Sequence, residues 1–260
     1  MDRNELEKAA TSDPPDDVWP MLRRVLSFLG SPDPRLRDEL AFAILSDWVY
    51  ERDLLAPDEL REMLAFALSE DGIRHGLGES GTDSVFARSF AVLVVALVLV
   101  VDNRSPYLSD VEFANVLTAL LEYAGSERDL RGFVPGKGWA HSAAHVADAL
   151  DECVRSRYAA TKEAHLVIDA LCSLTSRSPE VFTAEEDERI AIPLAAAVEL
   201  GKVSLSEVAR RLEAGDDRVE RINRKHIARS LYFRLDRPEE LLRLVGWPAT
   251  GSQGVEPSPS

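Results

Sequence analysis

His141 and His145 are four residues apart and are followed by Asp148 and Glu152. If the segment is helical from Trp139 onward, these four polar groups share one stripe. With His145 at zero on a helical wheel, His141 falls near about −40°, Asp148 near about −60° and Glu152 near about −20°. Trp139, Ala143, Val146, Leu150 and Val154 gather on the opposite side. Imidazoles at i and i+4 can share one metal ion, with Asp148 or Glu152 as a third ligand. A bound zinc or manganese would then activate a water. Alternatively, one histidine oriented by Asp148 could serve as a general base. The preceding stretch, DLRGFVPGKG from Asp129 to Gly138, places Arg131 and Lys137 among glycines. Backbone N–H groups and a cation just before a helix suit a phosphate or a carboxylate. In the plain alternative, the stripe only hydrogen-bonds a neighbouring helix and sets its angle.

The surrounding patterns narrow these options. HSAAH lacks the adjacent glutamate of the H-E-x-x-H zinc motif. The glycine loop is no Walker A loop, because the spacing from Gly132 to Lys137 is wrong and Gly138 stands where Ser or Thr belongs. No Ser or Cys sits in a nucleophile elbow. Ser84 and Arg88 lie one turn apart on an otherwise apolar helix. A buried arginine there needs a carboxylate, such as Asp148, or a bound anion beside the histidines. Glu79 and Asp83 are the candidates for a further metal ligand. Arg218, Arg221, Arg224, Lys225, His226 and Arg229 are interleaved with Asp216, Asp217 and Glu220, and they read as a solvated face. His75 and His165 belong to no usable pattern.

The elements that must position these residues read as helices. Gly and Pro punctuate long apolar periodic runs, at Asp16–Leu29, Pro34–Val49, Pro57–Leu68, Thr82–Val101 and Ser109–Ala124. Further runs follow at Trp139–Arg157, Thr161–Leu174, Thr183–Leu200, Ser204–Leu212, Asp217–Leu235 and Pro238–Val245. Ser109-x-x-Glu112 is a capping box, and Pro57-Asp-Glu is a good helix start. No segment reads as a strand. Helices of this length joined by short turns pack as pairs with a period of about 45 residues. The expected fold is therefore all-α, a short right-handed α-α superhelix of HEAT-like helix pairs. Residues 1–15 should be loosely ordered, 16–247 should form one helical-repeat domain, and the Pro/Gly/Ser-rich 248–260 should be disordered.

Bulk properties set outer limits. The 260 residues carry a formal net charge of −15, with 45% hydrophobic and 29% charged residues. That charge argues against nucleic acid or anionic membrane as a partner. Cys153 and Cys172 have no pairing pattern and point to core positions in a reducing, cytoplasmic setting. The polar, acidic start resembles no signal peptide. AVLVVALVLVV, residues 91–101, is too short to span a bilayer.

Three stretches together resemble a bacterial family of unknown function, the domain of unknown function 2785 family. They are DLRGFVPGKGWAHSAAHVADAL (Asp129–Leu150), GTDSVFARSFAVLVVALVLVVDN (Gly81–Asn103) and LRDELAFAILSDWV (Leu36–Val49). The resemblance spans roughly residues 15–245 and implies an all-helical, HEAT-like fold with the histidine helix at its functional end. It brings no activity and no catalytic residue.

The expected function is a binding module. A small anionic ligand or peptide would sit among Arg88, Arg131, Lys137, Trp139, His141, His145 and Asp148, with Trp139 bracing the loop. A divalent metal on His141, His145 and Asp148, in a metal-binding protein or hydrolase, is one alternative. A scaffold whose acidic outer face binds a protein is the other.

Overall fold

The computed structural model describes residues 1–213, 215 and 217–246. The tail expected to be disordered, 248–260, lies outside the described residues. In chain order the elements are α1 (Arg3–Thr11), α2 (Trp19–Leu26), α3, α4 (Pro57–Ala67), α5 (Ser84–Arg104), α6 (Asp110–Ser126), β1 (Phe133–Val134), β2 (Gly138–Trp139), α7 (Ser142–Arg155), α8 (Thr161–Arg177), α9 (Glu186–Glu199), α10 (Leu205–Glu213), α11 (Arg218–Arg234) and α12 (Glu239–Val245). The rod called α3 is π-helical over Arg35–Phe42, α-helical over Ala43–Leu45 and π-helical again over Ser46–Glu51. The Arg52 N–H accordingly reaches back five residues to the Asp47 carbonyl. The fold is all-α, apart from the two-residue pairing of β1 with β2.

Local chemistry sets several helix ends. Ser109 and Glu112 form the reciprocal capping box that opens α6. Pro57 occupies the first turn of α4, where its missing N–H costs nothing. Asp2 and Glu5 cap α1 in the same reciprocal way. Leu6 of this helix is buried in the core.

α5 is the axis of the molecule. It is long and apolar enough to cross a membrane, yet most of it is buried inside the fold. A helix that is apolar on every side needs neighbours on every side. It packs on α3, α4 and α7. The remaining helices extend in two layers: α7 packs on α9 and α9 on α11, while α6 packs on α8 and α8 on α10. Contacts of α6 with α7, α8 with α9 and α10 with α11 join the layers. The main apolar core runs from Leu6 to Val245, and Val85, Phe86, Val134 and Ala140 form a separate small cluster at the hairpin.

Candidate functional site

Two expectations about the signature segment are corrected by the backbone. First, the stretch before the histidines forms a hairpin, in which Phe133 pairs with Trp139 and Val134 with Gly138. Second, α7 starts at Ser142, so Trp139 and His141 are not on the helical wheel at all. His141 is the N-cap and takes a left-handed backbone, φ 49°. Pro135 and Gly136 sit at the centre of the hairpin turn that Val134 and Lys137 close. Gly136 and Gly138 have φ of +74° and +80°, which ordinary side chains rarely adopt.

Arg37 holds this hairpin in place. It is fully buried, and its guanidinium donates to the carbonyls of Lys137 at 2.9 Å, Trp139 at 3.1 Å and Ser31 at 2.7 Å. It also pairs with Asp38 at 2.9 Å and lies 4.1 Å over the Phe86 ring. A Cβ on Gly138 would come within 2.8 Å of Pro34 and 3.2 Å of Arg37. The approach of α3 to the hairpin therefore requires glycine there.

Six aromatic rings follow one another from the hairpin into the fold. Phe133 meets Trp139 edge-on at 4.9 Å, and Trp139 stacks on His141 at 4.3 Å, with planes 11° apart. His141 lies 5.6 Å from His145, His145 5.0 Å from Phe90, and Phe90 6.1 Å from Phe42. The outer end is open to solvent, with Phe133 54% and Trp139 42% exposed. The inner end reaches an apolar groove over α5, whose walls include Phe42 of α3 and Asp148 and Glu152 of α7.

Both histidines are kept neutral at ordinary pH. Burial, then the nearby Arg189 charge, pushes His141 down to about 4. Burial, His141 and Arg189 hold His145 well below its ordinary value. The Nδ1 atom of His145 lies 3.2 Å from the Ser89 carbonyl, whereas the buried Nδ1 atom of His141 has no hydrogen-bond partner among the described residues.

The predicted cations are engaged within the chain. Arg88 is buried against Glu127 (Nε to Oε2 2.5 Å, Nη2 to Oε1 2.9 Å) and also contacts Ser84 and the Glu79 carbonyl. Its carboxylate partner is thus Glu127 and not Asp148, and it does not join the histidines. Arg131 is held by Asp129 at 2.7 and 2.6 Å and by the Thr82 carbonyl. Lys137 is 2.7 Å from both Asp83 oxygens. The Lys137 N–H closes the hairpin turn on Val134, and the N–H groups of Ala140 and His141 both reach the Gly132 carbonyl. These donors are therefore committed to the loop itself.

Asp148 is bound by Arg189 through both oxygens, with Nε to Oδ1 at 2.6 Å. Burial raises the Asp148 pKa and Arg189 opposes the rise. Of the other metal-ligand candidates, Glu79 accepts hydrogen bonds from Thr82 and Ser84, and Asp83 holds Lys137. Among the described residues no three His, Cys, Asp or Glu side chains stand together as a metal site.

Arg37, Phe133, Phe90 and Phe42 were not among the sequence candidates. Arg37 had a legible signal, because it lies in register with Ala41, Leu45 and Trp48, all buried on one side of α3. A charge in an apolar register is a buried clamp waiting for acceptors.

No curated protein and no solved structure matches the chain. A family model matches residues 73–235, from just before α5 through α11, taking in the hairpin and the histidines but leaving out Leu36–Val49 and Arg37. That span is more than half of the chain, and the protein therefore belongs to the family described as Protein of unknown function (DUF2785).

Proposed function

We propose that the protein is a binding module that holds a peptide segment of a partner protein along the hairpin and the groove over α5. One observation carries this reading: the chain of six rings starts at two exposed aromatics and ends at the wall of an apolar groove. Exposed aromatic side chains on a braced backbone offer large contact area at small entropic cost. Arg37 supplies the bracing. The internal pairing of Arg88, Arg131 and Lys137 favours a peptide over a small anionic ligand. We read the two helix layers as a short HEAT-like right-handed stack, an architecture suited to extended ligands. The unpaired Cys153 and Cys172 support a reducing, cytoplasmic setting.

Peptide-display selection on the intact protein tests the reading. Selected peptides should bind the Phe133→Ser/Trp139→Ala variant at least about tenfold more weakly, the loss of one hot spot. A Leu200→Ser variant, altered at an exposed position on the C-cap of α9, should bind normally. Equal binding by the hairpin variant would overturn the proposal.

A second reading, a divalent metal on His141 and His145, draws support from the unpartnered Nδ1 of His141 and the neutral state of both rings. Asp148 would have to leave Arg189 to complete the set. Elemental mass spectrometry on protein purified without chelator, beside His141→Ala/His145→Ala, decides it. Near-equimolar metal lost in the variant supports it, and metal-free wild type sets it aside.

A further inference from the structure

The groove over α5 has a volume of about 210 Å³, the scale of one long side chain and too small for a helix. Leu93 and Val100 form its floor, Phe42 and Tyr50 one wall, and Asp148 and Glu152 the other. The charges on the acidic wall do not balance. Asp148 is paired with Arg189, and Asp151 with Arg155 at 2.7 Å. Glu152 accepts a hydrogen bond from the neutral Asn103 amide, at 2.8 Å; among the described residues no cation lies within 4 Å of its carboxylate, and Arg155, which acts on it from further away, is paired with Asp151. A carboxylate beside apolar surface with no close counter-ion is destabilised, and burial pushes the Glu152 carboxyl upward, with Asn103 and the more distant Arg155 only partly opposing the rise.

We propose that this groove anchors a lysine or arginine side chain of the bound peptide, an inference that rests on the peptide-binding reading above. The aliphatic stem would lie on Leu93 and Val100, and the charged head would meet Glu152. The Phe42 and Tyr50 rings flank the path and favour a cation over an alcohol or an amide. Tyr50 already carries one guanidinium, that of Arg104, 5.0 Å from its centroid. The chain's strong negative charge adds a long-range attraction for a basic segment.

The test uses blocked single residues as probes: N-acetyl-lysine, N-acetyl-arginine and N-acetyl-norleucine methylamides. Binding to the intact protein is followed by methyl NMR at Leu93 and Val100. The lysine and arginine probes should shift these methyls saturably, and norleucine should bind about fivefold more weakly, the worth of one partly buried ion pair. Glu152→Gln keeps an acceptor for Asn103, and in it the preference should vanish. Equal binding of lysine and norleucine, or an unchanged preference in E152Q, would overturn the anchor. Display-selected peptides separate the two levels. Peptides that need Phe133 and Trp139 but show no Lys or Arg enrichment sink the anchor and leave the peptide-binding reading standing. Peptides indifferent to the hairpin variant sink that reading, and the assignment to a peptide side chain with it.

Discussion

The Arg37 guanidinium donates to the main-chain carbonyl of Trp139 across 3.1 Å, although 102 positions separate the two in the chain. This contact ties α3, outside the family span, to the hairpin inside it. The exposed aromatics are presented from a backbone that a buried charge holds down.

Replacing Arg37 with methionine should therefore loosen the hairpin as well as the fold. It leaves the carbonyls of Ser31, Lys137 and Trp139 without this donor, and Asp38 without its pair. The expected cost is about 3 kcal/mol in urea unfolding. Peptide binding should weaken under conditions where the variant is still folded. An unchanged unfolding midpoint would mean that the clamp is idle.

The two hairpin glycines should respond differently to alanine. Both have positive φ, but a Cβ at Gly136 meets nothing within 4 Å, whereas one at Gly138 is 2.8 Å from Pro34. Gly136→Ala should cost about 1 kcal/mol from backbone strain alone, and Gly138→Ala roughly 2–3 kcal/mol. Chemical denaturation of both variants checks the order, which depends on α3 packing directly on β2.

The Arg88–Glu127 pair is fully buried on both sides. Glu127 also accepts the N–H groups of Arg128 and Asp129, so it shapes the entry to the hairpin loop. Arg88→Met alone should cost about 3–5 kcal/mol, because it strands a buried carboxylate. Arg88→Met/Glu127→Gln should recover part of that loss. A double variant as unstable as the sum of the singles would show that the two side chains act independently.

Acid should destabilise the protein through the histidines. His141 and His145 are both held below their ordinary value, so the unfolded chain takes up protons first. Their contribution is complete above about pH 6.5 and declines as pH falls towards 4, by up to about 1.4 kcal/mol per pH unit for each ring. Asp148, Asp151 and Glu152 have raised values and act in the opposite direction, gaining in acid. The His141 contribution is isolated by difference. His141→Asn tolerates the left-handed backbone and does not titrate. Its stability should fall less steeply than wild type between pH 6.5 and 4, and parallel curves would contradict the buried, neutral assignment.

The helices were legible because each carries its own signals. The Ser109 capping box, Pro57 at a first turn and the apolar register of α5 are local, and all three reappear in the structure. The start of α7 was misjudged by three residues. Its periodicity extends back to Trp139, but the left-handed His141 breaks the helix. Periodicity does not show that break, and the clamp that fixes the preceding residue, Arg37 on the Trp139 carbonyl, is a contact across 102 positions.

Charge pairing reassigned the members of the signature segment. Arg88, Arg131 and Lys137 looked like three cations awaiting one anion, and each found its own carboxylate 2 to 54 positions away. Composition and periodicity alone determined that this chain would be helical, acidic and built around one largely apolar helix, since those properties follow from residue type and local spacing. That His141 Nδ1 is buried without a partner among the described residues, that Glu152 meets Asn103 and no close cation, and that Phe133 and Trp139 reach solvent were decided only when α3, the hairpin and α7 closed around α5. Each of those facts depends on residues far apart in sequence competing for the same buried donors and acceptors.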